Sequence, residues 1–90
     1  MKANRILFSP NAFEDYRYWQ EKDKKTLKRI NDLIEDISRN GNSGIGKPES
    51  LKGNYSGFWS RRIDDKNRLI YRVEDGIIII IACKIHYQDK

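Results

Sequence analysis

The sequence predicts an α+β fold: a two-helix hairpin packed on a small, mainly antiparallel sheet, in the order β-α-α-β-β-β. Three observations predict it. Apolar residues recur at helical spacing between residues 12 and 37, strand-like alternation dominates after residue 57, and Asp75-Gly76 is a two-residue hairpin signal between the last two strands. Helices and strands that cluster along the chain, rather than alternate, are the pattern of α+β packing.

Ile6-Leu7-Phe8 reads as a short first strand. Ser9 then has the position of a helix N-cap and Pro10 that of the first helical residue, with Glu14 and Asp15 near the positive end of the helix. Ala12, Phe13, Tyr16 and Trp19 give this helix an aromatic face as far as about Glu21 or Lys22. Asp23 is placed to cap a second helix, whose apolar stripe is Leu27, Ile30, Leu33, Ile34 and Ile37. Lys24, Lys25, Lys28, Asp32, Glu35 and Asp36 cover its outside. Acidic charge near its C-terminal end is locally unfavourable, and Arg39 offsets it only in part.

Residues 40–57 lack periodicity and read as a long loop, a feature often tied to function in compact domains. Phe58–Ile63 and Arg68–Glu74 alternate as strands around an Asp64–Asn67 turn. Ile77–Ile85 follows as an almost continuous apolar strand. Its five consecutive isoleucines imply cover on both faces and therefore a central place in the sheet. Two helices cover only one face, so the reading expects an acidic segment of a partner or a second copy of the chain to shield part of the other.

Ninety residues support one hydrophobic core, so residues 1–90 are read as a single domain. Ten aromatics and the isoleucine-rich strand argue against disorder. A net charge of +5 favours polyanionic partners, although charge alone does not separate nucleic-acid binding from an ordinary basic surface. The lone Cys83 excludes an internal disulfide and sits in an apolar run, as a buried residue would. No apolar stretch approaches the roughly 18 residues of a membrane span, and none resembles a signal peptide. A cytoplasmic address and no membrane partner are expected.

His86, the only histidine, stands beside Tyr87 at the end of the longest strand. Strict alternation places Ile78, Ile80, Ala82, Lys84 and His86 on one face. An exposed terminal residue is the plain reading of His86; a proton-transfer group is the functional one. Glu49 lies in the long loop between Lys47 and Lys52 and could accept a proton if held near a substrate hydroxyl. Arg61, Arg62, Arg68 and Arg72 fall on two strands expected to pair. They would suit phosphate recognition, or else cross-strand pairing with Asp64, Asp65 and Glu74. Together these residue types fit RNA cleavage without a metal: a base for the 2′-hydroxyl, cations for the phosphorane and an acid for the 5′-oxygen. No metal-ligand spacing is present, and Gly44-Ile45-Gly46-Lys47 does not join a strand to a helix as a phosphate loop would. No cofactor is expected.

Several blocks carry a family resemblance. Gly46-Lys47-Pro48-Glu49-Ser50-Leu51-Lys52, Tyr55–Ile63, Arg68-Leu69-Ile70-Tyr71 and His86-Tyr87 resemble the YoeB/Txe family of the RelE superfamily. Tyr16–Gln20 and Lys28–Ile34 agree, so the likeness runs from about Ile6 to Tyr87. The resemblance implies a RelE-like fold and cleavage of mRNA in the ribosomal A site. It also implies inhibition by a cognate antitoxin of the YefM/Axe kind, with operator DNA reached only through that complex. It leaves room for a homodimer. By the same likeness Glu49 matches the general base, His86 the general acid, Arg68 the transition-state arginine and Tyr87 the C-terminal tyrosine of the site. Lys52 and Arg62 match residues that contact RNA or the transition state. Ser50 replaces a frequent proline, and Gln88-Asp89-Lys90 extends past the usual end. The alternatives are a non-catalytic RNA- or ribosome-binding module and a degenerate toxin that acts only within a toxin–antitoxin complex.

Overall fold

The computed structural model describes residues 3–85. In chain order they form β1 (Arg5–Phe8), α1 (Pro10–Lys22), α2 (Lys24–Asn40), β2 (Glu49–Ser50), β3 (Trp59–Arg62), β4 (Arg68–Glu74) and β5 (Ile77–Ile85), with a 3-10 turn at Gly53–Tyr55. The predicted α+β architecture is present. Residues 40–57 depart from an unbroken loop, because β2 and the 3-10 turn lie within them.

The helix ends follow from their caps. Ser9 Oγ accepts the Ala12 N–H at 3.1 Å, with Pro10 at the first helical position. Asp23 serves both helices: its N–H bonds Trp19 O, while its carboxylate accepts from Thr26 N at 3.2 Å and Thr26 Oγ1 at 2.8 Å. One residue thus folds the hairpin. α2 stops at Gly41, whose φ of 66° lets its N–H bond Ile37 O at 2.8 Å. Glu14 and Asp15 fall outside the first turn of α1 and cannot neutralise its end as expected. Asp15 instead accepts the Cys83 N–H at 3.0 Å, tying α1 to the sheet.

The sheet order is β1-β5-β4-β3-β2, with β1 parallel to β5 and every other pair antiparallel. β5 is therefore internal, as its isoleucines require. Asp75 (φ 52°) and Gly76 (φ 77°) make the β4–β5 turn, both in the left-handed region that a tight hairpin needs.

Strict alternation fails along β5. Tyr71 pairs with Ile80 but Ile70 with Ala82, and Arg68 pairs with Ile85, so the strand carries extra residues near Ile81 and again near Cys83–Lys84. Ala82 consequently leaves the face of Ile78 and Ile80 and packs with Ile70 and Leu51, while Cys83 joins the helix-side core. The single face expected for Ile78, Ile80, Ala82 and Lys84 is split; His86 lies outside the described residues. The helix-side core holds Ile30, Leu33, Ile34, Ile37, Leu69, Tyr71, Ile78 and Ile80. A smaller apolar cluster lies on the opposite face, where Leu51, Tyr55 and Phe58 cover Ile70, Ala82, Ile81 and Ile85. The chain itself thus supplies part of the cover expected from a partner.

Cys83 is fully buried, and burial, followed by the nearby Asp15 carboxylate, pushes its thiol up to about 12. In the native protein at pH 8 this thiol should resist a disulfide reagent for as long as the fold persists, and react rapidly in denaturant. Stoichiometric labelling of native protein within minutes would contradict that placement.

Candidate functional site

Strand register places Glu49, Arg62, Arg68 and Arg72 on the sheet face turned away from the helices. β4 sends Leu69 and Tyr71 into the helix-side core, so Arg68, Ile70 and Arg72 point the other way. Glu49 pairs with Ser60, Ser60 with Ile70, and Ile70 with Ala82, making one row across that face. Arg62, Arg68 and Ile85 form the next row. Glu49 and Arg62 are diagonal neighbours, at roughly 7–8 Å between their backbones.

Glu49 is positioned by β2–β3 pairing rather than carried on a mobile loop, which corrects the loop expectation for this residue. The preceding segment is also held. Arg62 N–H bonds Gly46 O at 2.7 Å, and Gly46 has φ 83° where a Cβ would come within 2.8 Å of Leu33 Cδ2. Lys52 is exposed beside the buried Leu51, at the start of the 3-10 turn. Among the described residues, the side chains of Glu49, Lys52, Arg62 and Arg68 form no ion pair with one another or with other groups. A carboxylate and three cations thus stand on or beside one face without an ion pair among the described residues. His86 and Tyr87 lie outside the described residues; Ile85, the last of these, is the register partner of Arg68.

The arginine cluster divides by face. Arg61 has no exposed surface and points into the helix side, so it is not part of the phosphate-facing set expected from sequence. Its Nη1 pairs with Asp36 and donates to Ile45 O at 2.9 Å. Its Nη2 donates to Gly41 O at 2.7 Å and Ser43 O at 3.0 Å, and its Nε to the Tyr71 hydroxyl at 3.2 Å. The hydrogen bond from Arg61 holds the Asp36 carboxyl below its usual range, and burial raises the Tyr71 phenol. The acidic C-terminal end of α2 thereby finds its explanation: Asp36 is the counterion of a buried arginine. Arg72 keeps to the open face but is tied to Glu74 at 2.7 Å.

Sequence reasoning also missed Ser60. Its hydroxyl is buried in the row between Glu49 and Ile70 and has no hydrogen-bond partner among the described residues. Nothing in an alternating Trp-Ser-Arg-Arg strand marks that site without the register. A second surface lies at the other edge of the sheet, where Ile6, Phe8, Phe13, Tyr16 and Ile34 line a groove of about 450 Å³. Ile6 and Phe13 are each more than half exposed there. Among the described residues no three His, Cys, Asp or Glu side chains gather as metal ligands would.

A family profile described as a YoeB-like toxin of bacterial type II toxin–antitoxin systems matches residues 8–87. The toxin YoeB of Streptomyces coelicolor is 52% identical over 83 residues, which span 92% of this chain and 99% of that protein. The fold also superposes on a chain of the heterotetrameric YoeB–YefM toxin–antitoxin complex of Staphylococcus aureus. The TM-score is 0.87 at 55% identity, covering 97% of this chain and 100% of that one. A YoeB dimer from the same organism matches with a TM-score of 0.87 at 56% identity, over 92% and 97% of the two chains.

Proposed function

The chain belongs to the YoeB-like toxins of bacterial type II toxin–antitoxin systems, and from that premise we propose that it is an endoribonuclease cleaving mRNA in the ribosomal A site. The observation that carries the reading is the open sheet face, where Glu49 stands one row from Arg62 and Arg68 and all three lack competing ion pairs among the described residues. Glu49 takes the proton of a ribose 2′-hydroxyl, and that oxygen attacks the adjacent phosphorus. Arg68, with Arg62 and Lys52, stabilises the extra negative charge of the pentacoordinate phosphorane. The bond to the 5′-oxygen then breaks, leaving a 2′,3′-cyclic phosphate and a 5′-hydroxyl. His86 supplies the proton to that oxygen and Tyr87 completes the site; both roles rest on sequence resemblance alone. The nucleophile belongs to the RNA, so the protein needs no activated serine or cysteine.

The ribosome enters the proposal through orientation. Cationic attraction to RNA is independent of sequence and is weakened by salt, whereas in-line attack requires the 2′-oxygen, phosphorus and leaving oxygen to be aligned. Charged side chains at the rim of a partly covered sheet face bind RNA without fixing that line. A ribosome that holds the codon does. Single-turnover cleavage of one mRNA at physiological salt should be at least 10²-fold faster on ribosomes than free. Equal rates on the two substrates would remove ribosome dependence, and RNA binding without any cleavage would favour the non-catalytic module. A cognate antitoxin, like the YefM partner of the Staphylococcus aureus relative, is the proposed inhibitor. The basic face and the apolar edge groove are surfaces that an acidic, partly apolar segment would cover. A cytoplasmic location accords with a ribosomal substrate.

A further inference from the structure

Arg72 differs from the other open-face arginines in what surrounds it. Its guanidinium carbon lies 5.3 Å from the centroid of the Phe58 ring, and Nη2 is held by Glu74 Oε1 at 2.7 Å. Phe58 is itself seated in the apolar cluster with Leu51, Ile70 and Ala82. Nε is buried with no hydrogen-bond partner among the described residues, yet 43% of the side chain remains exposed. The ion pair with Glu74 neutralises much of the charge, which makes Arg72 a poor phosphate clamp. What it still offers is a planar group backed by an aromatic ring, with solvent on its outer side.

Flat cationic and aromatic surfaces of this kind stack unpaired nucleobases, because every base has a π-face. Resting on the reading of Glu49 and Arg68 as cleavage residues, we propose that Phe58 and Arg72 form a nucleobase-stacking subsite for a base of the mRNA beside the scissile phosphate. The register supplies the spacing. Arg72 shares a face with Arg68 and Ile70, and the Glu49–Ser60–Ile70 row runs between the two arginines. Successive same-face residues are roughly 7 Å apart along a strand, so Arg72 lies one such step beyond the proposed base and two beyond Arg68. An RNA strand with its reacting phosphate between Glu49 and Arg68 would place a neighbouring base within reach of that platform.

The test uses ribosomes programmed with mRNA carrying the fluorescent base 2-aminopurine at each A-site codon position in turn, with 2′-O-methyl groups blocking cleavage. Wild-type protein should quench the probe at one position, through stacking. Arg72→Ala should abolish that quench and raise KM for unmodified mRNA about tenfold, with kcat within twofold. Arg72→Lys keeps the charge without the plane and should behave like the alanine variant. Melting temperatures of both variants should stay near wild type. An undiminished quench in Arg72→Ala, or one restored by Arg72→Lys, overturns the stacking role. If wild type cleaves unmodified mRNA but quenches no position, the subsite is wrong and the nuclease reading stands. If it neither cleaves nor quenches, both fall.

Discussion

Arg68→Ala is expected to lower single-turnover cleavage on ribosomes by about 10²–10³-fold while leaving the fold intact. The size follows from the task assigned to the residue. A donor that meets charge only as the phosphorane forms contributes mainly to the transition state, so its removal lowers kcat more than it changes KM. The tolerance of the fold follows from the structure: Arg68 is half-buried on the open face and has no ion pair among the described residues, so truncation leaves no partner stranded. Glu49→Gln should have a comparable effect, about 10²–10⁴-fold, because the amide keeps the shape and cannot accept the proton. Arg62→Ala should lose less, since Arg62 is exposed and, in the proposed site, would share the phosphate with the directly opposed Arg68. The measurements are quench-flow cleavage and thermal melting on the same preparations. Near wild-type cleavage by Arg68→Ala would remove it from the transition state and shift that task to Arg62 or Lys52.

These residues were visible in the sequence as types, and their arrangement was only partly so. Both helices were legible because period and caps agree: Ser9, Pro10 and Asp23 mark ends that the apolar stripes of α1 and α2 independently require. The central place of β5 followed from its composition. Its faces did not, since the extra residues near Ile81 and Cys83 carry no glycine or proline to betray them, and each one reverses the alternation beyond it. β2 was illegible for a simpler reason. Two residues cannot display a period of two, so Glu49 appeared as loop although β3 fixes its place. The resemblance named Glu49 and Arg68 without saying how they stand to each other, and the register puts them in adjacent rows of one sheet face.

Arg61 is the case where residue type misled most, and its loss should produce the largest change in stability. Arg61→Leu is expected to destabilise the protein by about 3–5 kcal/mol, because it removes the buried cation that partners the partly exposed Asp36 and donates to several loop carbonyls. Here more than the pair is lost. The carbonyls of Gly41, Ser43 and Ile45 and the Tyr71 hydroxyl would all lose a donor along with Asp36. A chain of this length has roughly 5–14 kcal/mol of total stability, so a large fraction would go. Arg61→Lys should recover only part, since an ammonium cannot reproduce a planar fork of donors. The pH dependence has a definite sign. Asp36 titrates lower in the folded state, so its contribution is complete above its unfolded value of about 3.9 and disappears as pH falls through the folded one. In Arg61→Leu that acid-sensitive part should shrink. The effect should also reach the site, because the 41–46 segment leads through the Gly46–Arg62 hydrogen bond to Glu49. Urea titrations at pH 7 and pH 3.5 measure the first two effects, and cleavage per folded molecule the third. A loss under 1 kcal/mol at pH 7 would show that the arginine staple is not what holds this loop to the sheet.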